Sequence, residues 1–403
     1  MSITEEKINT IFRNREEFNE KSYIVREYYE KELLRAINRY KYVFVAGESG
    51  CGKTWLTTHI MKSVAGKYKF VNLSDVKMKG GFYQYFSALY SEVLVERIET
   101  KEAGINAGIA AGNLEASRTY EVSNDFFKLF LQDNKNQLVV LDNFETIIND
   151  EKMLEDLSCI ITMADDPLMI KNNVRFLAIG ATNSIMQYFE KMPNYQTIAS
   201  RIQTISVRGF NDTECNSFVS KKFRECGFTV PMIDDLSNYV LKCTAGIPQS
   251  VNEMCYCLAI SYYDNESDKI LMNDEIFIKA QEGWVKTRLA AEYSVIRGLY
   301  NDNISESNGL NHVLYALCNY EKSDFSSSQV NAYIDGYLPK PIKGLNKTNI
   351  KKYLIKLSDD KNNRNLLVKK SEDLFEMKSF KTFACINLVI SYEAGQVKLA
   401  EYF

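Results

Sequence analysis

The chain has 403 residues, 45% of them hydrophobic and 25% charged, with a net charge of −3. That length calls for two or three hydrophobic cores rather than one, and the charge excludes a polycation, so any nucleic-acid surface must be a local patch. Two histidines, His59 and His312, remove most His-based triads and His-rich metal sites from consideration, and nine cysteines without a C-x-x-C pair point to reduced thiols.

In chain order, the start MSITEEKINT is acidic and polar, unlike a secretory signal, and no apolar run reaches membrane-spanning length. A cytoplasmic protein with no membrane partner is expected. Residues 1–40 read as helices, closing with YYEKELLRAINRY at helical spacing. KYVFVAG (41–47) is a strand buried on both faces, and TWLTTHIMKSVAG (54–66) is a helix. KYKFVNLSDV (67–76) is a second strand, and FYQYFSALYSEVLVERIE (82–99) an amphipathic helix. The Gly/Ala-rich piece AGINAGIAAGNLEAS (103–117) is either a mobile connector or an insertion that contacts nucleic acid or another subunit.

Alternation resumes with a helix over 124–133, a strand over 136–142, a helix over 151–165, a strand over 174–182, a helix over 183–192 and a strand over 201–207. Buried strands alternating with helices predict a parallel sheet covered on both faces. From Asn211 the strands stop. Helices over 212–226, 234–246 and 248–264 form a block, followed by one long helix over 273–302 and the linker NISESNG. Three further helices (309–321, 326–338 and 346–360) and a hairpin (364–370 with 373–379) have the order of a winged helix-turn-helix. The predicted fold is therefore α/β, a parallel-sheet P-loop NTPase core with a helical lid and a C-terminal winged-helix domain. The expected boundaries are 1–210 for the core with its N-terminal helical segment, 211–303 for the lid and connecting helix, and 304–403 for the winged helix.

The chemistry begins at Gly47-Glu48-Ser49-Gly50-Cys51-Gly52-Lys53-Thr54, a complete G-x-x-x-x-G-K-[ST] between a predicted strand and a predicted helix. Its glycines let backbone amides and the helix N-terminus face phosphate. Lys53 is expected to bridge the β- and γ-phosphates of ATP and Thr54 to ligate Mg2+. LVVLDNFE then ends a strand in Asp142, a carboxylate expected to hold magnesium through water. Asn143 follows where a water-polarising Glu often stands, and Glu145 comes three after Asp142. Glu145 is either the base or a surface charge, and slow hydrolysis is expected.

LAIGATNS puts Thr182 and Asn183 at the end of a strand, near a γ-phosphate and its water, unless they form a plain turn. Arg201, before the last strand, can reach a neighbouring subunit's γ-phosphate or form a surface salt bridge. In TAGIPQSVNEMC, Gly246 and Pro248 set a tight turn and a fixed first helical dihedral.

This ordered set of motifs resembles the AAA+/STAND P-loop ATPases, with the nearest likeness to the replication-initiator and archaeal-ATPase branches. The resemblance spans about residues 20–400. It implies nucleotide-dependent homo-oligomers with ATP between core and lid, Asn183 as first sensor, Arg201 as the trans arginine, and Tyr23 to Arg26 flanking the adenine. Many relatives carry Arg after the lid Gly-x-Pro, where this chain has Gln249, which again points to slow turnover. The resemblance further implies a replication, transposition or defence factor acting on DNA, or a STAND signalling switch whose winged helix docks a protein effector. A small-molecule kinase finds no acceptor-substrate domain here.

Between Lys340 and Lys370 stand ten basic residues against two acidic ones, a local charge of +8. Lys347, Lys351 and Lys352 on the third helix, and Arg364 leading into the hairpin, are the candidate phosphate contacts for DNA.

Overall fold

A computed structural model describes residues 3–13, 18–20, 22–63, 68–90, 126–180, 201–302, 309–320, 324–338, 345–359 and 365–402. The chain divides into two compact units, residues 18–208 and residues 1–17 together with 209–403. Among the described residues no helix is long and apolar enough to cross a membrane. All nine cysteines are free thiols, six of them buried.

Residues 18–208 are built on a five-stranded sheet: β1 (Tyr42–Ala46), β2 (Tyr68–Asn72), β3 (Leu138–Asp142), β4 (Arg175–Gly180) and β5 (Ile202–Ser206). Every pairing is parallel, in the order β2-β3-β4-β1-β5. The expected α/β class is what the structure has. All five residues of β1 are buried, as its unbroken apolar run requires. The helices around the sheet are α2 (Glu27–Arg39), α3 (Lys53–Ser63), α4 (Leu73–Met78), α5 (82–90), α6 (126–133) and α7 (Glu151–Ala164). Phe82, Phe86, Phe130 and Leu157 pack with Phe44, Val139 and Leu141 in one cluster on the sheet.

The second strand does not run to Val76 but stops at Asn72. The Asn72 side chain accepts the Ser74 N–H at 2.9 Å and caps α4, whose buried Leu73 and Val76 are spaced i, i+3. The expected helix over 183–192 and the insertion 103–117 lie outside the described residues.

The second unit opens with α1 (Glu5–Ile11), capped by Thr4. It continues in α8 (Asp212–Cys226), α9 (Ile233–Thr244), α10 (Pro248–Asp264), α11 (Glu275–Arg288) and α12 (Ala290–Leu299). Helix α8 starts at a full capping box, Asn211 with Glu214. Helix α1 is held on this block by Lys7 Nζ on the Cys226 carbonyl at 3.1 Å and by Asn252 Nδ2 on the Phe12 carbonyl at 2.8 Å. The long helix expected over 273–302 is two helices. Leu289 leaves helical geometry at φ −121°, ψ 14°. The apolar stripe of Trp284, Val285, Leu289 and Tyr293 crosses the break without interruption, so periodicity could not reveal it.

The last stretch holds α13 (Gly309–Leu317), α14 (Ser327–Tyr337), α15 (Lys347–Ser358), β6 (Leu367–Ser371) and β7 (Leu374–Met377). Three helices followed by an antiparallel hairpin is the expected order. A short antiparallel bridge adds to it: the Phe325 and Phe375 backbones exchange two hydrogen bonds of 2.9 Å. The chain then goes on to α16 (Phe380–Val389), β8 (Ile390–Glu393) and β9 (Gln396–Leu399), three elements beyond those expected from the sequence. The turn between β8 and β9 places Ala394 and Gly395 at φ 52° and 83°, the left-handed pair of a tight hairpin.

Candidate nucleotide-binding site

Parallel strands bring their carboxyl ends to one edge of the sheet, and the Gly47–Thr54 loop and Asp142 meet there. The loop leaves β1 at Gly47, and its glycines Gly50 and Gly52 take φ of 81° and 87°. Gly47 has a stricter reason to lack a side chain, since a Cβ would lie 2.3 Å from the Val207 carbonyl oxygen. Helix α3 begins at Lys53, so its free N-terminal amides open onto the loop. Lys53 is buried, and its ammonium donates to the Gly47 and Glu48 carbonyls at 3.0 and 2.9 Å. Glu48 is half-buried and Ser49 exposed, while Cys51 is fully buried. Burial pushes the Cys51 thiol up, so it stays a neutral wall of the loop.

Strand β3 does not neighbour β1, because β4 lies between them. The Asp142 carboxylate nevertheless stands 3.4 and 3.5 Å from Thr54 Oγ1. Burial raises its carboxyl above the ordinary value, with a further upward push from the Glu145 charge; the Asn143 amide, Thr54 and Lys53 oppose it. A hydroxyl and a carboxylate at this spacing are hard oxygen donors of the kind Mg2+ takes with phosphate and water, so the residues present fit both a nucleoside polyphosphate and its magnesium.

Asn143 turns the chain in the left-handed region at φ 61°, ψ 45°, a conformation Asn tolerates better than most residues. Its N–H donates to Asp142 Oδ1 at 2.9 Å, and its side-chain amide donates to Asn72 Oδ1 at 3.0 Å. Asn72 and Asp142 are partners in the sheet register, so the end of β2 steadies the residue after the aspartate. Phe144 packs against Phe44 at 5.5 Å, and Glu145 is exposed.

Other candidates lie elsewhere. Arg201 precedes β5, in register with the start of β1, so it sits at the amino edge of the sheet. About 20 Å along the strand direction separates it from the loop. There it pairs with Asp165, which also binds Lys41 at 2.7 Å. These hydrogen bonds and charges outweigh burial and hold the Asp165 carboxyl below its ordinary value. Thr182, Asn183 and Arg364 lie outside the described residues.

Pro248 is the first residue of α10. Gly246, at φ 63°, accepts the Phe210 N–H at its carbonyl at 2.6 Å, and a Cβ there would meet the Phe210 oxygen at 2.4 Å. Gln249 Nε2 donates to Glu253 at 3.1 Å, and Arg288 approaches the same carboxylate at 3.6 Å. Lys347 and Lys352 are exposed on α15, whereas Lys351 pairs with Glu372 at 3.1 Å in the hairpin turn.

Three partners escaped the sequence reading. Asn72 could have been seen as a helix cap in N-L-S-D, had the strand been ended there. Asp165 as the partner of Arg201 leaves no local signal, and neither does the bond from Arg26, expected beside adenine with Tyr23, to the Cys51 carbonyl at 3.0 Å, because each acts across the fold. Tyr23, expected beside adenine, stacks on His59 with ring centroids 4.3 Å apart and donates to Glu30 at 3.0 Å.

No protein-family model matches the chain, and no curated protein matches it by sequence. Solved structures similar to it include the Walker-type ATPase of Pyrococcus abyssi, at 15% identity over 94% of this chain and 100% of that one, with a TM-score of 0.48. Cdc6p from Pyrobaculum aerophilum is similar at 11% identity over 94% and 96% of the two chains, TM-score 0.46. The ORC2 protein of Aeropyrum pernix is similar at 14% identity over 93% and 97%, TM-score 0.44. By its own geometry, residues 18–208 are a phosphate-loop α/β core: a five-stranded parallel sheet with a glycine loop after β1 and an aspartate ending β3.

Proposed function

We propose that the chain is an ATP-binding, slowly hydrolysing ATPase of the AAA+/STAND type, which assembles with itself in response to nucleotide and acts on DNA or an associated effector. The observation that carries this reading is the convergence of the Gly47–Thr54 loop, Lys53 and the Thr54–Asp142 pair at one sheet edge. Bound ATP with magnesium supplies the scissile phosphate bond and the metal charge. Lys53 exchanges loop carbonyls for phosphate oxygens, and Thr54 and Asp142 hold the metal side. Asn143 can orient water through its amide but cannot take its proton, which leaves Glu145 as the base candidate and favours slow turnover. Arg201, at the opposite edge from its own loop, suits a neighbour's phosphate. Asn183 as sensor and Pro248 as a lid contact complete the proposal.

Calorimetric titration with ATP and Mg2+ tests it. Wild-type protein binds, and Lys53→Ala weakens binding by more than about tenfold, the scale of a lost charge-assisted hydrogen bond. Equal affinity in the variant would remove the site assignment.

The proposed C-terminal winged helix admits a second reading as an effector-docking module. Two of its basic residues, Lys351 and Lys370, are engaged by Glu372 and Glu376 at 3.1 and 2.6 Å, which reduces the charge left for phosphate. Duplex DNA titrations at low and high salt separate the two: DNA binding predicts affinity that falls steeply with salt, and no binding at low salt leaves the effector.

A further inference from the structure

A loop that presents its amides to an anion must turn carbonyls away from it, and a carbonyl turned into the protein needs a donor there. In this chain that donor is Arg26. Cys51 is fully buried, its N–H reaches the Glu48 carbonyl at 3.3 Å, and its own carbonyl accepts Arg26 Nη1 at 3.0 Å. The same guanidinium donates Nη2 to the Arg208 carbonyl at 2.7 Å. It is 3% exposed and lies 4.6 Å over the Tyr29 ring, while Tyr29 Oη accepts the Arg208 N–H at 3.2 Å.

Residue 208 is therefore gripped through both its backbone groups by side chains one helical turn apart. One residue earlier, the Val207 N–H donates to the Ala46 carbonyl at 2.7 Å, and the Val207 oxygen fills the space a Gly47 Cβ would need. Both ends of the loop are pinned to the chain leaving β5. Arg26 is itself pre-set: its backbone N–H donates to Glu30 Oε1 at 2.8 Å, and Tyr23 Oη donates to the same oxygen at 3.0 Å.

We infer that Arg26 is a positioning residue for the phosphate loop. By bridging the Cys51 and Arg208 carbonyls it holds the loop in its anion-accepting shape from outside, acting through carbonyls rather than through phosphate. The inference rests on the nucleotide reading of the loop. A lysine cannot replace it, because an ammonium has no planar fork to serve two carbonyls set apart.

The test uses the full chain and Arg26→Lys, read by hydrogen exchange without nucleotide and by ATP calorimetry. The expected result is exchange at amides 48–54 faster by about tenfold and a Kd for ATP higher by about tenfold. Amides of β1, β3 and β4 keep their protection, which a general loss of structure would not allow. Loop exchange and affinity both within about twofold of wild type overturn the inference. If Arg26→Lys loses protection throughout, Tyr29→Phe decides, since it removes only the hydroxyl on the Arg208 N–H. That variant is expected to raise exchange at 51, 207 and 208, and the Kd, by about threefold; unchanged values overturn the inference. Wild-type protein that fails to bind ATP removes the nucleotide reading, while the exchange comparison still decides the role of Arg26.

Discussion

Asp142 ends a strand whose other four residues are buried, and its carboxyl is raised mainly by that burial. For a carboxyl raised on folding, the native state holds its proton to higher pH, so the group's contribution to stability falls as pH rises from its ordinary value to the raised one. The proposed metal role needs the opposite, charged form. Mg2+-dependent ATP affinity should therefore weaken as pH falls through the raised value, and calorimetry across mildly acidic pH reads it. Asp142→Asn should bind weakly even at neutral pH, with the Mg2+-dependent slope gone. A slope that survives in the variant would assign the titration to another group.

At the scale of elements, helix α7 carries a comparable burden without a ligand to explain it. Burial raises the Asp156 carboxyl from 3.8 to about 6, and among the described residues its Oδ2 has no hydrogen-bond partner. Stability should decline as pH rises between 3.8 and about 6, where the unfolded chain releases a proton the native chain keeps. Asp156→Asn should flatten that decline in urea melts at successive pH values; an unchanged profile would show that Asp156 is solvated. Elements with strong local signals were legible. The helix over 212–226, Pro248 opening α10 and the apolar run of β1 are all present as expected. The end of β2 was misread, because VNLSDV is apolar enough for a strand and only the Asn72 cap decides otherwise. The closing α16 and β8–β9 went unassigned for a related reason. Six of the ten residues of α16 are buried, five of them consecutive from Thr382 to Ile386, and a short buried run alone does not separate helix from strand.

At the scale of the whole molecule, Arg201 lies at the amino edge of the sheet, held by Asp165, with the loop at the other edge. Its proposed target is a neighbour's nucleotide. Turnover of wild-type protein should rise faster than linearly with protein concentration, and Arg201→Ala should remove that excess while leaving ATP binding intact. Dilution series of both proteins check it, and a linear wild-type profile would count against a trans arginine.

The sequence by itself determined the alternation of strands and helices, the phosphate loop and the strand-ending Asp142. Each of these is written in neighbouring residues, as an apolar period, a glycine spacing or a cap. Tertiary structure alone decided that β4 lies between the two strands bearing the loop and the aspartate, and that Thr54 and Asp142 still approach to 3.4 Å. It also decided that Asp165 takes Arg201, and that Arg26 reaches 25 residues along the chain to Cys51 and 182 to Arg208. Contacts of that separation come from the order of strands in the sheet, and no local pattern of residues encodes that order.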